Sequence, residues 1–262
     1  MSERASFYVV EGHRLVATDY TRGPWSRELQ HGGPPTAVLA RAMRLALADD
    51  DWLLTRLSFE LLRPVPVASM AIEVEERASS RSTRRLWARL EVAGKTVIEG
   101  RALALRRAPI ELPEMPELPV PRAPKLCKVL ELPTLRDRDG YHQAFDLRRV
   151  SGVYGKGATT TWMRARVDLV AGEPMAPCER VLVVADSCGG LSPVVDPREI
   201  TFVNADLNVN LLRDLRGEWI AIAASSALCP EGRGISSGQL YDAEGLVGAV
   251  LQSLVVRRRV PL

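Results

Sequence analysis

Lysine is scarce in this chain. Of 35 basic residues among 262, only those at positions 95, 125, 128 and 156 are lysine. The rest are arginine, in short runs such as Arg84–Arg85, Arg148–Arg149 and Arg257–Arg259 that are scattered along the sequence. A formal net charge of +3 is too small to argue for nucleic acid as a partner. Cysteine is equally sparse: residues 127, 178, 188 and 229 form no C-x-x-C pair and no spaced Cys/His set. They read as reduced thiols, and neither a metal site nor a cofactor is expected. The opening MSERASFYVV lacks a signal-type apolar stretch, and no 18-residue apolar run marks a membrane span. A cytoplasmic protein with no membrane partner is therefore the expectation. With 46% hydrophobic and 26% charged residues, the composition is that of an ordinary globular chain with ample material for a core.

What is present is self-similarity. LSFELLRPVPVASMAIE at 57–73 can be laid over LNVNLLRDLRGEWIAIA at 207–223 with a constant offset of 150, bringing LLR onto LLR. With one inserted residue, Leu103, Arg106 and Arg107 fall on Leu254, Arg257 and Arg258. Two copies of one unit imply duplication of an architecture. Polar differences at matched positions then point to where chemistry was kept. On this alignment Asp206 matches Arg56 and Gln252 matches Arg101.

PIELPEMPELPVPRAP at 109–124 carries six prolines, which cannot make a helix or a central strand. It reads as an extended connector between a first unit at 1–108 and a second at 125–262. In the first unit, Phe7–Glu11 and Leu15–Thr18 form a hairpin pattern around Gly12–His13. HGGPPTAVLARAMRLALADD then reads as a helix with proline in its first turn, apolar nearly all round and hence buried. Strands are expected at Thr55–Leu62, Met70–Ala78, Leu86–Val92 and Val97–Arg106. The second unit repeats the order. Strands at Gln143–Val150 and Thr159–Val170 precede a helix, Pro177–Cys188, stopped by Gly189–Gly190. Strands at Ile200–Leu212, Trp219–Ser226, Gly234–Tyr241 and Val247–Arg257 follow. The fold class is α+β: each unit is an antiparallel meander wrapped around one buried helix.

The chain resembles the double hot-dog proteins of the acyl-CoA thioesterase II type. The resemblance is carried by Gly32–Gly33 opening the first helix, by NADLNVNLLRDLRGEWIAIAASS at 204–226, and by LYDAEGLVGAVLQSLVVRRR at 240–259. It covers nearly the whole chain, leaving the connector and residues 125–142 unmatched. It implies two hot-dog sheets joined as an internal pseudo-dimer, further association into a homo-oligomer, and a role in lipid metabolism with acyl-CoA as the substrate. It also implies hydrolysis of the thioester by water held between an Asp, a hydroxyl residue and a Gln, carried here onto Asp206, Ser226 (or its neighbour Ser225) and Gln252. The Gly32–Gly33 helix start would face the carbonyl oxygen.

These residue types suit the chemistry. A carboxylate can take a proton from water, a neutral amide and a hydroxyl can orient that water, and helix-start N–H groups can receive an oxyanion. Each also has a plainer role. Asp206 could begin a strand or pair with Arg213, and Gln252 could bond to backbone. Gly32–Gly33 could mark only a turn, and the serines could be ordinary strand residues. His31 reads as a surface or capping residue, with acid–base catalysis as the alternative. A non-catalytic acyl-thioester scaffold and an enoyl-thioester hydratase are the rival functions. The hydratase reading lacks its G-D-x-N-P-x-H segment.

Overall fold

The computed structural model describes residues 5–116, 118–132 and 139–259. Its strands are β1 (Ser6–Glu11), β2 (Arg14–Ala17), β3 (Trp52–Leu61), β4 (Ser69–Ser79), β5 (Thr83–Val92), β6 (Lys95–Arg106), β7 (Lys128–Val129) and β8 (Phe145–Ser151). They continue as β9 (Thr159–Ala165), β10 (Asp168–Val170), β11 (Ile200–Asn204), β12 (Asp206–Leu211), β13 (Ile220–Cys229), β14 (Arg233–Asp242) and β15 (Gly245–Arg258). The helices are α1 (Gly33–Leu47), α2 (Pro177–Ala185) and the short α3 (Cys188–Leu191).

The strands run on as one sheet. Their order is β10-β1-β2-β4-β5-β6-β3-β12-β15-β14-β13-β9-β8-β7, with β11 also on β15. The block β4-β5-β6-β3 is mirrored by β12-β15-β14-β13. The registers match as well. Ser58 pairs with Arg101 as Asn208 pairs with Leu251, and Leu86 pairs with Ala102 as Ser236 pairs with Gln252, each partner 150 positions on. Even the irregularities repeat, at Leu90/Glu91 in β5 and at Leu240/Tyr241 in β14. At the joint, β3 meets β12 antiparallel. Ser58 lies opposite Asn208, with Glu60 opposite Asp206 and Arg56 opposite Asn210, a self-complementary pattern like that of a two-fold interface.

This corrects the alignment over the last strand. No residue is inserted, so Gln252 corresponds to Ala102 rather than to Arg101, and Leu254 to Ala104. A strand changes face with every residue, so a shift of one moves the comparison from the outside of the sheet to the core.

α1 packs on β3–β6, with Val38, Leu39, Ala40 and Met43 fully buried. It lies antiparallel against α2, Gly33 beside Val183 and Arg44 beside Glu179. α2 is shorter than its pattern. The chain breaks at Asp186, and Gly189–Gly190, expected to end it, sit inside α3. The expected strand 200–212 is divided at Ala205 into β11 and β12. Up to Ala123 the described residues of the proline-rich connector form neither helix nor strand, Pro124 opens a 3-10 turn (Pro124–Leu126), and the connector lies against the sheet where Trp162 Nε1 donates to Arg122 O at 2.8 Å.

Candidate active site

The period of two along β15 turns Val250, Gln252 and Leu254 inward and Leu251 and Ser253 outward. Gln252 is fully buried. Its Nε2 donates to Asp186 Oδ1 at 3.0 Å, and its Oε1 accepts from the backbone N–H of Gly189 at 3.3 Å. Asp186 caps the C-terminal end of α2 with its side chain only 4% exposed. A carboxylate at that end opposes the helix dipole and is desolvated, so it needs donors. Two reach Oδ1, Gln252 and Asn204 Nδ2 at 2.7 Å, and His31 Nδ1 lies 3.0 Å from Oδ2. A carboxylate offers about four lone-pair sites. Oδ2 therefore keeps one for a water.

The first half comes up close against that oxygen. A Cβ on Gly32 would lie 2.8 Å from Asp186 Oδ2, and one on Gly33 only 2.5 Å from Val183 O. The two glycines are required by close approach: they let the start of α1 come up against α2 and the acid. Positive helix end and buried carboxylate thus face each other across the pair.

The hydroxyls gather beside this. Ser236, opposite Gln252 and fully buried, lies 2.6 Å from Ser226 Oγ, which is 2.8 Å from Ser192 Oγ. Ser236 Oγ would be 3.0 Å from a Cβ on Gly189, whose N–H binds Gln252. Ser225 points the other way, exposed, toward Ser237.

Gln252, Ser226, Gly32 and Gly33 are therefore brought to one region, and Asp206 is not. Its carboxylate accepts from the N–H of Ser253 at 2.5 Å, from Ser253 Oγ at 3.2 Å and from Asn208 Nδ2 at 3.0 Å. Ser253 follows Gln252 in the strand and points outward, so Asp206 sits on the opposite face of the sheet. Nor does Asp206 pair with Arg213, which is bonded to Asp242 at 2.5 and 2.6 Å. The acid beside the amide and glycines is Asp186. One sequence signal pointed to it: a lone acid ending the apolar run VLVVAD, at the end of a helix that disfavours negative charge. His31, read as a surface or capping residue, is mostly buried, its ring stacked on Tyr141 at 3.7 Å and 1°. Tyr141 comes from the stretch for which no resemblance was found.

A cavity of about 450 Å³ opens next to this cluster, lined by Trp25, His31, Tyr141, Phe145, Met163 and Gly190 among others. Its walls are chiefly apolar and aromatic, suited to an acyl group. Burial, with the Asp186 charge adding, pushes the nearby Cys188 thiol up to about 12. It stays a thiol at neutral pH. Among the described residues no group of three His, Cys, Asp or Glu could hold a metal ion, and no helix is long and apolar enough to cross a membrane.

Residues 21–106 match the profile of the acyl-CoA thioesterase N-terminal domain, and residues 112–256 that of the acyl-CoA thioesterase C-terminal domain. No curated protein sequence matches the chain. Among solved structures it is similar to an acyl-CoA thioesterase II from Mycobacterium marinum, at 18% identity and TM-score 0.66, covering 87% of this chain and 91% of that one. A conserved protein with a hot-dog fold from Alicyclobacillus acidocaldarius gives 16% identity and TM-score 0.70, over 97% and 96%. A MaoC-like dehydratase also aligns, at 12% identity and TM-score 0.50 over 96% and 98%, so the fold alone does not choose between hydrolysis and dehydration. The family does: with both domain profiles matched in order, this hot-dog chain belongs to the acyl-CoA thioesterases and is a thioester hydrolase.

Proposed function

We propose that the chain hydrolyses acyl-CoA to a free acid and CoA with Asp186 as general base. The chain would act as two hot-dog units, 1–108 and 125–262, joined by the connector 109–124 into an internal pseudo-dimer with one site between them. The acyl group enters the apolar cavity and the thioester carbonyl comes to the start of α1. A water on Asp186 Oδ2 attacks the carbonyl carbon and gives its proton to the carboxylate. Negative charge builds on the carbonyl oxygen, where the Gly33 N–H and the positive end of α1 oppose it. Collapse breaks the C–S bond and the CoA thiolate leaves with the electron pair. The proton on Asp186 then passes to the thiolate or to solvent. Gln252 and Asn204 keep Asp186 oriented, and Ser226, through Ser236, extends the hydroxyl network that orders the water.

The observation that carries this reading is Asp186 itself: a carboxylate out of contact with bulk water, held by two amide donors, with His31 Nδ1 at 3.0 Å and its other oxygen against Gly32. The test is a pair of conservative variants assayed with acyl-CoA by release of free thiol. Asp186→Asn should lower kcat about 10²–10⁴-fold, the usual contribution of a general base. Asp206→Asn, on the outer face, should retain nearly full activity. The reverse ranking would return the base to Asp206 and sink the assignment.

A further inference from the structure

His31 Nδ1 lies 3.0 Å from Asp186 Oδ2 and 3.2 Å from the backbone nitrogen of Gly33, whose N–H points at it. The carboxylate can only accept and the N–H can only donate. One ring nitrogen cannot serve both. With a proton, Nδ1 donates to Asp186 and must release Gly33. Without one, it accepts from Gly33 and sets its lone pair against a carboxylate.

That choice has a consequence at the start of α1. Helices normally begin with several unpaired N–H groups. Here Pro34 and Pro35 have none, and Thr36 N already bonds Gly32 O at 3.2 Å. Within α1's first turn, the donor left for a substrate oxygen is Gly33 N–H, the group His31 would occupy if it lacked the proton. The ring is not free to turn away. It is stacked flat on Tyr141, whose hydroxyl is tied to Val183 O and lies 2.8 Å from Ser187 Oγ. Burial raises the pKa of that hydroxyl, with the Asp186 charge adding, so it remains a donor.

We propose that His31 is a positioning residue whose Nδ1 proton is committed to Asp186, fixing the carboxylate and keeping Gly33 N–H free for the thioester oxygen. A desolvated carboxylate favours this state, because a charge-assisted bond replaces lost hydration. The inference rests on the reading of Asp186 as the base, and extends it by linking base and oxyanion donor through one proton.

Two measurements on the full chain test it. Nitrogen-15 NMR of histidine-labelled, substrate-free protein reads which ring nitrogen carries the proton, His31→Asn identifying the signal among the three histidines. Protonation on Nδ1 is expected, and an unprotonated Nδ1 overturns the proposal. In kinetics, His31→Ala should lower kcat about 10²-fold, the scale of a misplaced catalytic group, with KM nearly unchanged. His31→Asn, whose amide N–H can take the Nδ1 position, should restore most of that loss. Equal damage by both variants, or a loss confined to KM, overturns it. Activity surviving in Asp186→Asn would instead remove the base assignment, while the NMR result still reports on His31 alone.

Discussion

The two halves share a strand register yet differ in what they put on the core face of the sheet. Gln252 has Ala102 as its counterpart, Ser236 has Leu86, and Ser226 has Glu76. In the first half Leu86 is fully buried and Ala102 nearly so, making an ordinary apolar layer under α1. In the second half the same positions carry an amide and hydroxyls leading to Asp186. The helix ends differ in the opposite sense. The start of α1 has Gly32 and Gly33 and admits close approach, whereas the start of α2 has Pro177 and the buried Glu179, which accepts from Ala176 N at 2.9 Å and pairs with Arg44 at 2.9 Å. Where one half carries these polar groups or glycines, the matching place in the other holds packing or an ion pair. A duplicated sheet tolerates this because its stability rests on the apolar layer. Polar groups are affordable only where they satisfy one another.

Swapping the matched pair is the sharpest way to break the comparison. Gln252→Ala removes a hydrogen bond to a charged group, worth about 1.5–3 kcal/mol. It should lower kcat about 10- to 100-fold at 1.36 kcal/mol per decade. Ala102→Gln, at the same place in the first half, puts an amide where no partner waits. It should destabilise the fold by about 1–3 kcal/mol without changing the rate. Denaturant unfolding and the thiol-release assay separate the two. An active Gln252→Ala, or an inactive but stable Ala102→Gln, would mean that the halves are not divided as described.

Much of this was legible in the sequence, and the part that was not has a physical pattern. The repeat, the buried α1, the meanders and the connector follow from periodicity and proline, which are local. Gln252 and Gly32–Gly33 were selected because the resemblance points to them. Asp206 was chosen because the resemblance carries the family's Asp onto it and because it matches Arg56 in the repeat, but one step of register decides which face a strand residue takes, and the break at Ala205 resets that count. Asp186 escaped because its place beside Gln252 and Gly32 depends on packing between two helices 144 positions apart at their starts, Gly33 and Pro177. Tyr141 and the His31 stack are contacts across the units, which no local pattern encodes.

The closed end of the helix pair should show up in stability rather than in rate. Arg44 and Arg41, three apart on α1, reach Glu179 and Glu173, the latter bidentate at 2.7 and 2.8 Å. Arg44→Ala would leave Glu179 buried with one backbone donor. Breaking a fully buried pair costs about 3–5 kcal/mol; with the Arg44 side chain 38% exposed, about 2–3 kcal/mol is expected. That corresponds to a fall in Tm of roughly 4–10 °C for a chain of this size. Arg41→Ala, whose partner Glu173 is more exposed, should cost less. Equal effects, or none, would show that this end does not depend on the ion pair.

The smallest signal decides the largest question about the duplication, which is how many sites one chain carries. A tandem repeat could keep two, one at each end of the helix pair. At the α1 start, glycine backbone, a carboxylate with an open lone pair and the cavity of about 450 Å³ come together. At the α2 start, the neighbouring hollow is about 110 Å³ and is lined by Arg180 and Glu218, which lie 3.5 Å apart as an ion pair. That is too small for a long acyl group, and Arg180 and Glu218 are already paired with each other. Ala102, matched to Gln252, offers no amide to a second water. Titration with a non-hydrolysable acyl-CoA analogue, followed by calorimetry, should therefore saturate at one equivalent per chain. Asp186→Asn should still bind at that ratio, because the variant keeps the shape of the site. Two equivalent sites per chain would mean that the first half has kept a binding function which its apolar layer does not reveal.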